Sequence, residues 1–297
     1  MWMLFAGFLI LFTSCKNENK SQKNVTEYQK QIESWHLKRI NNLKKKKGWL
    51  NLVGLYWLNE GVNTIGSGKN NKIIFPENAP EYLGKFIKKD SIITFESNEI
   101  VNVFCKSEIV KKIEMKNDLS DEPTVLENGS LRWFIIKRGE KYGIRLRDLN
   151  AKLVKEFKDI DMFPIDKKWK ITAKFIPYQK PKEISVPTVI GTIDKEKSPG
   201  QLIFDVEGEE YSLEPTDEGN KFFIVFADLT SGEETYGAGR FLYVDKPDTN
   251  NNVILDFNKA YNPPCAFTKY ATCPMPIDEN KLHVKITAGE KNYGHHN

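Results

Sequence analysis

Apolar residues first recur at helical spacing. Tyr28, Ile32, Trp35, Ile40 and Leu43 fall on one side of a helix, with charged and amide residues between them. Thr26-Glu27-Tyr28-Gln29 opens this segment as a capping box, in which Thr26 and Gln29 each satisfy the other's backbone N–H. Lys44 to Lys47 sit in the last turn, where cations suit the helix dipole, and Gly48 supplies a stop. The lysine run reads as a solvated helix end, with contact to anionic lipid or nucleic acid as the alternative.

After Gly48 the period shortens. Runs such as "WLNLVGLYWL" (49–58), "KIIF" (72–75), "SIITF" (91–95), "IVNVFC" (100–105), "LRWFIIK" (131–137) and "KYGIRL" (141–146) are rich in β-branched and aromatic residues. So are "WKITAKF" (169–175), "QLIFDV" (201–206), "KFFIVFA" (221–227), "NVILDF" (252–257) and "HVKITA" (283–288). Gly, Asn, Asp and Pro separate them. This texture predicts a mainly β chain, a β-sandwich or split barrel preceded by one helix. Cys105 is in phase with Val101 and Val103 and is expected to face the core. Pro164, Pro177, Pro181 and Pro187 crowd residues 163–187, which suggests a linker around one strand. The expected division is a helix and β unit over 26–160 and a second β unit over 161–297, unless both share one core.

The first fourteen residues, "MWMLFAGFLILFTS", carry no charge and end at Cys15. They resemble a bacterial lipoprotein signal, with Cys15 as the lipidated residue and 15–25 as a polar tether. This implies an envelope protein, anchored to a membrane through the lipid and exposed at its periplasmic face or the cell surface. The 44 basic and 40 acidic residues leave a net charge of +4, too balanced to argue for nucleic acid. Hydrophobic residues at 40% and charged residues at 28% suit a folded body.

Two resemblances refine the picture. "EGVNTIGSGKNNKIIFPENAPEYLGKF" (60–86) is similar to the opening strands of a forkhead-associated β-sandwich. That family reads phosphothreonine with an Arg after its first Gly and a Ser-x-x-His motif. Here Ser67 follows Gly66, and Ala79-Pro80-Glu81-Tyr82 stands in the second region, so the resemblance implies the sandwich without phosphopeptide binding. The chain also resembles a bacterial and archaeal family of unknown function. The resemblance covers "GWLNLVGLYWLNEGVNTIGS" (48–67), "GIRLRD" (143–148), "FPID" (163–166), "SGEETYGAGRFLYV" (231–244) and the long tail from Leu255 to Lys291. It supplies no activity.

Candidate chemistry concentrates in that tail. Cys265 and Cys273 are spaced C-x7-C, which suits neither a C-x-x-C redox motif nor a zinc finger. A disulfide, two reduced structural thiols, and a metal ligand or nucleophile paired with His283 all fit. Pro263, Pro264, Pro274 and Pro276 stiffen the loop between. Gly237 and Gly239 allow close backbone approach, and a hairpin here would bring Glu234, Arg240, Asp256 and Asn258 together. Glu234 or Asp256 would then be a candidate general base, although a buried carboxylate beside Arg is also an ordinary structural pair. Tyr236, Arg240, Asn258, Tyr261, Asn262 and Tyr270 are candidate ligand-binding groups, and Trp49, Tyr56 and Trp57 a candidate aromatic wall. The expectation is a binding site for a small polar ligand or envelope component. The alternatives are a hydrolase or a structural envelope protein. No metal is expected, and no cofactor is identified.

Overall fold

The computed structural model describes residues 26–294. The signal, Cys15, the tether and His295-His296 lie outside the described residues. Helix α1 (Glu27–Lys44) begins with the expected reciprocal cap, Thr26 Oγ1 accepting from Gln29 N and Gln29 Oε1 from Thr26 N. It buries Tyr28, Ile32, Ile40 and Leu43. A side chain at Gly48 would collide with the Leu43 carbonyl, so only glycine permits this exit. Among the described residues no helix is long and apolar enough to cross a membrane.

The first β body comprises β1 (Leu52–Trp57), β2 (Gly61–Gly66), β3 (Ile73–Ile74), β4 (Gly84–Lys89), β5 (Ile92–Ser97), β6 (Phe104–Cys105), β7 (Glu108–Ile109), β8 (Lys112–Glu114), β9 (Val125–Asn128), β10 (Leu131–Arg138) and β11 (Lys141–Asp148). They form a six-stranded sheet, β1-β11-β10-β9-β6-β7, and a five-stranded sheet, β3-β2-β4-β5-β8. Alternate residues of both sheets meet in one core that includes Ile65, Phe86, Phe95, Trp133, Ile135, Ile144 and Leu146. Cys105 packs half-buried against this core. The run 100–105 is mostly irregular, and only Phe104–Cys105 pairs as a strand.

A short helix, α2 (Lys152–Glu156), leads to the second body. It contains β12 (Lys170–Pro187), β13 (Ile193–Val206), β14 (Glu209–Leu213), β15 (Thr216–Glu218), β16 (Lys221–Phe226), β17 (Arg240–Asp245) and β18 (Asn252–Asp256). The sheets are β14-β13-β12-β18 and β15-β16-β17, and they enclose Phe204, Phe222, Phe226, Leu242, Leu255 and Phe257. Most of the proline-rich stretch 163–187 is the long strand β12, and residues 163–169 before it form no strand. Pro177 sits at a register shift in the β12–β13 pairing, and β18 accompanies β12 only as far as Lys174. Beyond that point β12 has one partner, so prolines lose no second ladder bond.

Helix α1 docks on the second body rather than on the strands that follow it in sequence. Tyr28 Oη donates to Asp256 Oδ1 at 2.7 Å. Arg39 donates to Glu290 Oε1 at 3.1 Å and to the Asn262 carbonyl at 2.8 Å. The helix also keeps apolar contacts within 45–160, since Ile40 and Leu43 share a cluster with Leu50, Phe157 and Ile160. Its buried stripe is matched by apolar surface from the tail, including Ala266 and Phe267.

Candidate functional site

The tail after β18 is held by side chains more than by ladders. Arg240, 1% exposed, donates to Asp228 Oδ2 at 2.5 Å, to the Ile286 carbonyl at 3.0 Å and to the Ala288 carbonyl. The guanidinium satisfies these two carbonyls, while the Val284 carbonyl accepts from Leu229 N, so 283–288 is held in place without forming the strand its alternation predicts. Burial pushes the Arg240 pKa down, and Asp228 opposes that shift.

This arrangement corrects the predicted polar cluster. Arg240 takes Asp228 as its carboxylate, not Glu234 or Asp256. Glu234 is exposed, and its carbonyl accepts from Asn292 N at 3.0 Å. Asp256 is buried against α1 through Tyr28, with Lys259 at 3.5 Å. Asn258 donates to the Tyr28 hydroxyl and to the Asp166 carbonyl, both at 2.9 Å, and accepts from Asp166 N. Asn262 donates to the Lys291 carbonyl at 2.7 Å, and its own N–H reaches Glu290 at 2.7 Å. Tyr236 packs half-buried against the cluster around Phe267, and Tyr270 lies near Tyr56. Gly239, at φ 86°, leaves no room for a Cβ beside the Phe226 carbonyl, whereas a Cβ at Gly237 would make only ordinary contact with Gly232. Most of the expected binding groups are thus clamps within the fold.

Cys265 and Cys273 are joined as a disulfide with Cα atoms 6.2 Å apart. His283 is exposed and is not their partner. The Cys273 carbonyl accepts from Val189 N, and Met275 N donates to the Pro187 carbonyl, so the loop is tied to the tip of the β12–β13 hairpin. Ala271 and Cys273 pack on Phe241, with Trp49, Phe223, Val225 and Tyr261 around them. Among the described residues no group of three or more His, Cys, Asp or Glu side chains is arranged to hold a metal ion.

Beside this loop lies a groove, which Pro264 helps to line. β16 and β17 alternate, so Phe222, Ile224, Leu242 and Val244 face the core while Phe223, Val225, Phe241 and Tyr243 face outward. A cavity of about 590 Å³ is lined by Trp35, Trp49, Phe223, Phe241, Tyr243 and Tyr261, with Lys38, Arg39 and Asn42 on its rim. The Phe223 and Tyr243 rings lie 4.8 Å apart, Phe223 and Phe241 4.9 Å, and Tyr243 is 44% exposed. Tyr261 stacks near Tyr243 at an interplanar angle of 15°, and the Arg39 guanidinium covers its ring at 4.5 Å. Burial raises the pKa of both tyrosines, so both hydroxyls remain protonated donors at neutral pH.

A second cavity, also about 590 Å³, shares Phe223 in its lining. It runs between the two bodies and is lined by Arg138, Thr272, Glu214, Glu196 and Glu218 among others. Arg145 and Arg147 project from β11 on the face away from the first core, into the seam. Arg145 donates to Thr272 Oγ1 at 3.0 Å, and Arg138 Nε to the same oxygen at 3.2 Å. Arg147 holds the Gly48 carbonyl and Asn51, and both Arg145 and Arg147 stand over Trp49. Burial lowers their pKa values to about 10.

The predicted aromatic wall therefore splits. Trp49 joins the groove, Tyr56 packs on Phe75, and Trp57 lies over Gly143. Phe223 and Tyr243 were not anticipated. Their signal was the doubled aromatic in "KFFIVF": a strand that buries Phe222 must turn Phe223 outward.

Fold and groove define a two-body, mainly β protein with an aromatic seam. Residues 155–291 match the DUF1684 family, described as proteins of unknown function. The C-terminal region thus resembles that family, while the resembling segments 48–67 and 143–148 lie outside the match. No curated protein matches the chain. Among solved structures, an uncharacterized protein from Haloarcula marismortui is 26% identical over 49% of this chain and 83% of its own, with a TM-score of 0.41. The FHA domain of FhaA, solved in complex with an intracellular domain of another protein, is 14% identical over 31% of this chain and 97% of its own, with a TM-score of 0.23. A further FHA structure is 15% identical over 33% and 92%, with a TM-score of 0.22.

Proposed function

We propose that this chain is a lipid-anchored envelope protein that binds a saccharide of the cell envelope in the aromatic groove. The observation that carries the reading is the row Trp49, Phe223, Tyr243 and Trp35 around an open cavity. Exposed ring faces beside charged and amide groups suit a ligand with one apolar face and hydroxylated edges. A saccharide ring has that form. The Cys265–Cys273 bond supports an oxidising compartment, as does the lipoprotein-like start at Cys15.

The hydrolase alternative is the less favoured reading, because Asp256 Oδ1 accepts from Tyr28 and Glu234 lines neither of the two cavities. Native purification from membranes, followed by mass spectrometry of released small molecules, tests the reading. A co-purifying glycan fragment supports it. A clean protein that binds no glycan from a panel of envelope fragments favours a structural role.

A further inference from the structure

Thr272 Oγ1 is an acceptor for two guanidinium donors, Arg145 Nη2 and Arg138 Nε. A hydroxyl has two lone pairs and one proton. Both lone pairs face cations, so the proton must point elsewhere. Among the described residues no acceptor takes it, and Thr272 lines the seam cavity. Two positive charges behind the oxygen make that proton a strong donor.

The charge balance points the same way. Arg138 pairs with Asp118 at 2.8 Å. Among the described residues Arg145, 4% exposed, makes no direct ion pair and its Nε–H has no acceptor; the one carboxylate whose charge supports it, Asp118, is already held by Arg138. A buried cation so thinly compensated is costly, and an anion arriving at Thr272 would add counter-charge.

We propose that Thr272, backed by Arg138 and Arg145, is an oxyanion-recognition point of the groove, taking a carboxylate or phosphate group carried by the ligand. This rests on the groove being a saccharide site. The remaining walls limit the charge of the ligand. Asp194, Glu196 and Glu218 line the same cavity, and the Glu196 carboxyl is pushed up by burial, then by Glu218 and Asp194. Glu214 is 2% exposed; Tyr178 and Lys182 hold its Oε1, and among the described residues no donor meets Oε2. Lys137 and Lys195 also line the cavity, so its walls carry both signs and the carboxylates disfavour further anionic groups beside them. A single oxyanion at Thr272, with hydroxyl or amide N–H groups toward Glu214, meets both ends.

The test uses the full chain and three probes on one backbone: a neutral N-acetylglucosamine oligomer, its carboxylate-bearing muramyl counterpart and its phosphorylated counterpart. Calorimetry should show one or both acidic probes binding at least about tenfold tighter than the neutral one, the scale of one charge-assisted hydrogen bond. The preferred probe distinguishes carboxylate from phosphate. Thr272→Val should erase the preference and Thr272→Ser should retain it, with melting curves confirming that each variant is folded. Equal binding of acidic and neutral probes overturns the proposal, as does an intact preference in folded Thr272→Val. Should no saccharide bind at all, inorganic phosphate and acetate are titrated while arginine side-chain NMR signals are followed. A saturable shift lost in Thr272→Val would retain the oxyanion point and discard the saccharide reading; no shift would overturn the oxyanion point too.

Discussion

Arg240 and Asp228 form a fully buried ion pair, 2.5 Å from Nη2 to Oδ2, and the same guanidinium holds two tail carbonyls. The pair therefore fastens the tail across the second body. It leaves no free charge for chemistry. Removing one partner strands the other in a dry core. Arg240→Met or Asp228→Asn should destabilise by about 3–5 kcal/mol, read from denaturant midpoints. A shift below about 1 kcal/mol would mean that the tail is held by other contacts.

Reducing the Cys265–Cys273 bond should act on both stability and binding. It closes an eight-residue separation, for which chain entropy suggests about 2–3 kcal/mol. Ala271 and Cys273 of the loop pack on Phe241 of the groove, and Thr272 lines the seam cavity, so the Cys265→Ser, Cys273→Ser double variant should bind glycan more weakly than its stability loss alone explains. Unchanged affinity in the folded double variant would separate the loop from the site.

Tyr28 links α1 to the second body, and its pKa is raised above 10 by burial first and by the hydrogen bond to Asp256 next. Tyr178 is pushed up to about 12, by burial and by Glu214. For a raised pKa the stabilisation is fully present below the unfolded value and is lost as pH climbs through the folded one. Thermal melts should hold steady up to about pH 10 and fall steeply above it. Tyr28→Phe should start lower and show a shallower alkaline fall. An identical slope in that variant would remove Tyr28 from the alkaline limb.

Cys15→Ala should release the chain from membranes. Cell fractionation with a detergent-phase partition checks this: the wild type belongs in the detergent phase and the variant does not. Membrane retention of an otherwise identical, unprocessed variant would contradict lipid anchoring.

The strands were legible because apolar alternation and punctuating Gly and Pro survive in sequence, as in "KYGIRLRD", where Ile144 and Leu146 face one way and Arg145 and Arg147 the other. The tail misled for a physical reason. "HVKITA" alternates like a strand, yet its Ile286 and Ala288 carbonyls are paired by a side chain 46 and 48 positions away, which no local pattern records. Glu234, Arg240 and Asp256 are neighbours along the hairpin, but Asp228 lies closer in space to Arg240 and carried no signal of its own in "FADLTSG". Thr272 is similar. Its significance comes from two arginines over a hundred residues earlier, brought to it when the bodies close on each other.

The most direct test of the groove is tryptophan fluorescence, because Trp35 and Trp49 both line it. Titration with envelope glycan fragments should give saturable quenching in the wild type. Tyr243→Ala removes an exposed ring that adds little to the core, so the variant should stay folded and lose about tenfold or more in affinity, the cost of one aromatic contact at a binding centre. Quenching that is absent for every fragment, or equal in wild type and Tyr243→Ala, would contradict the account.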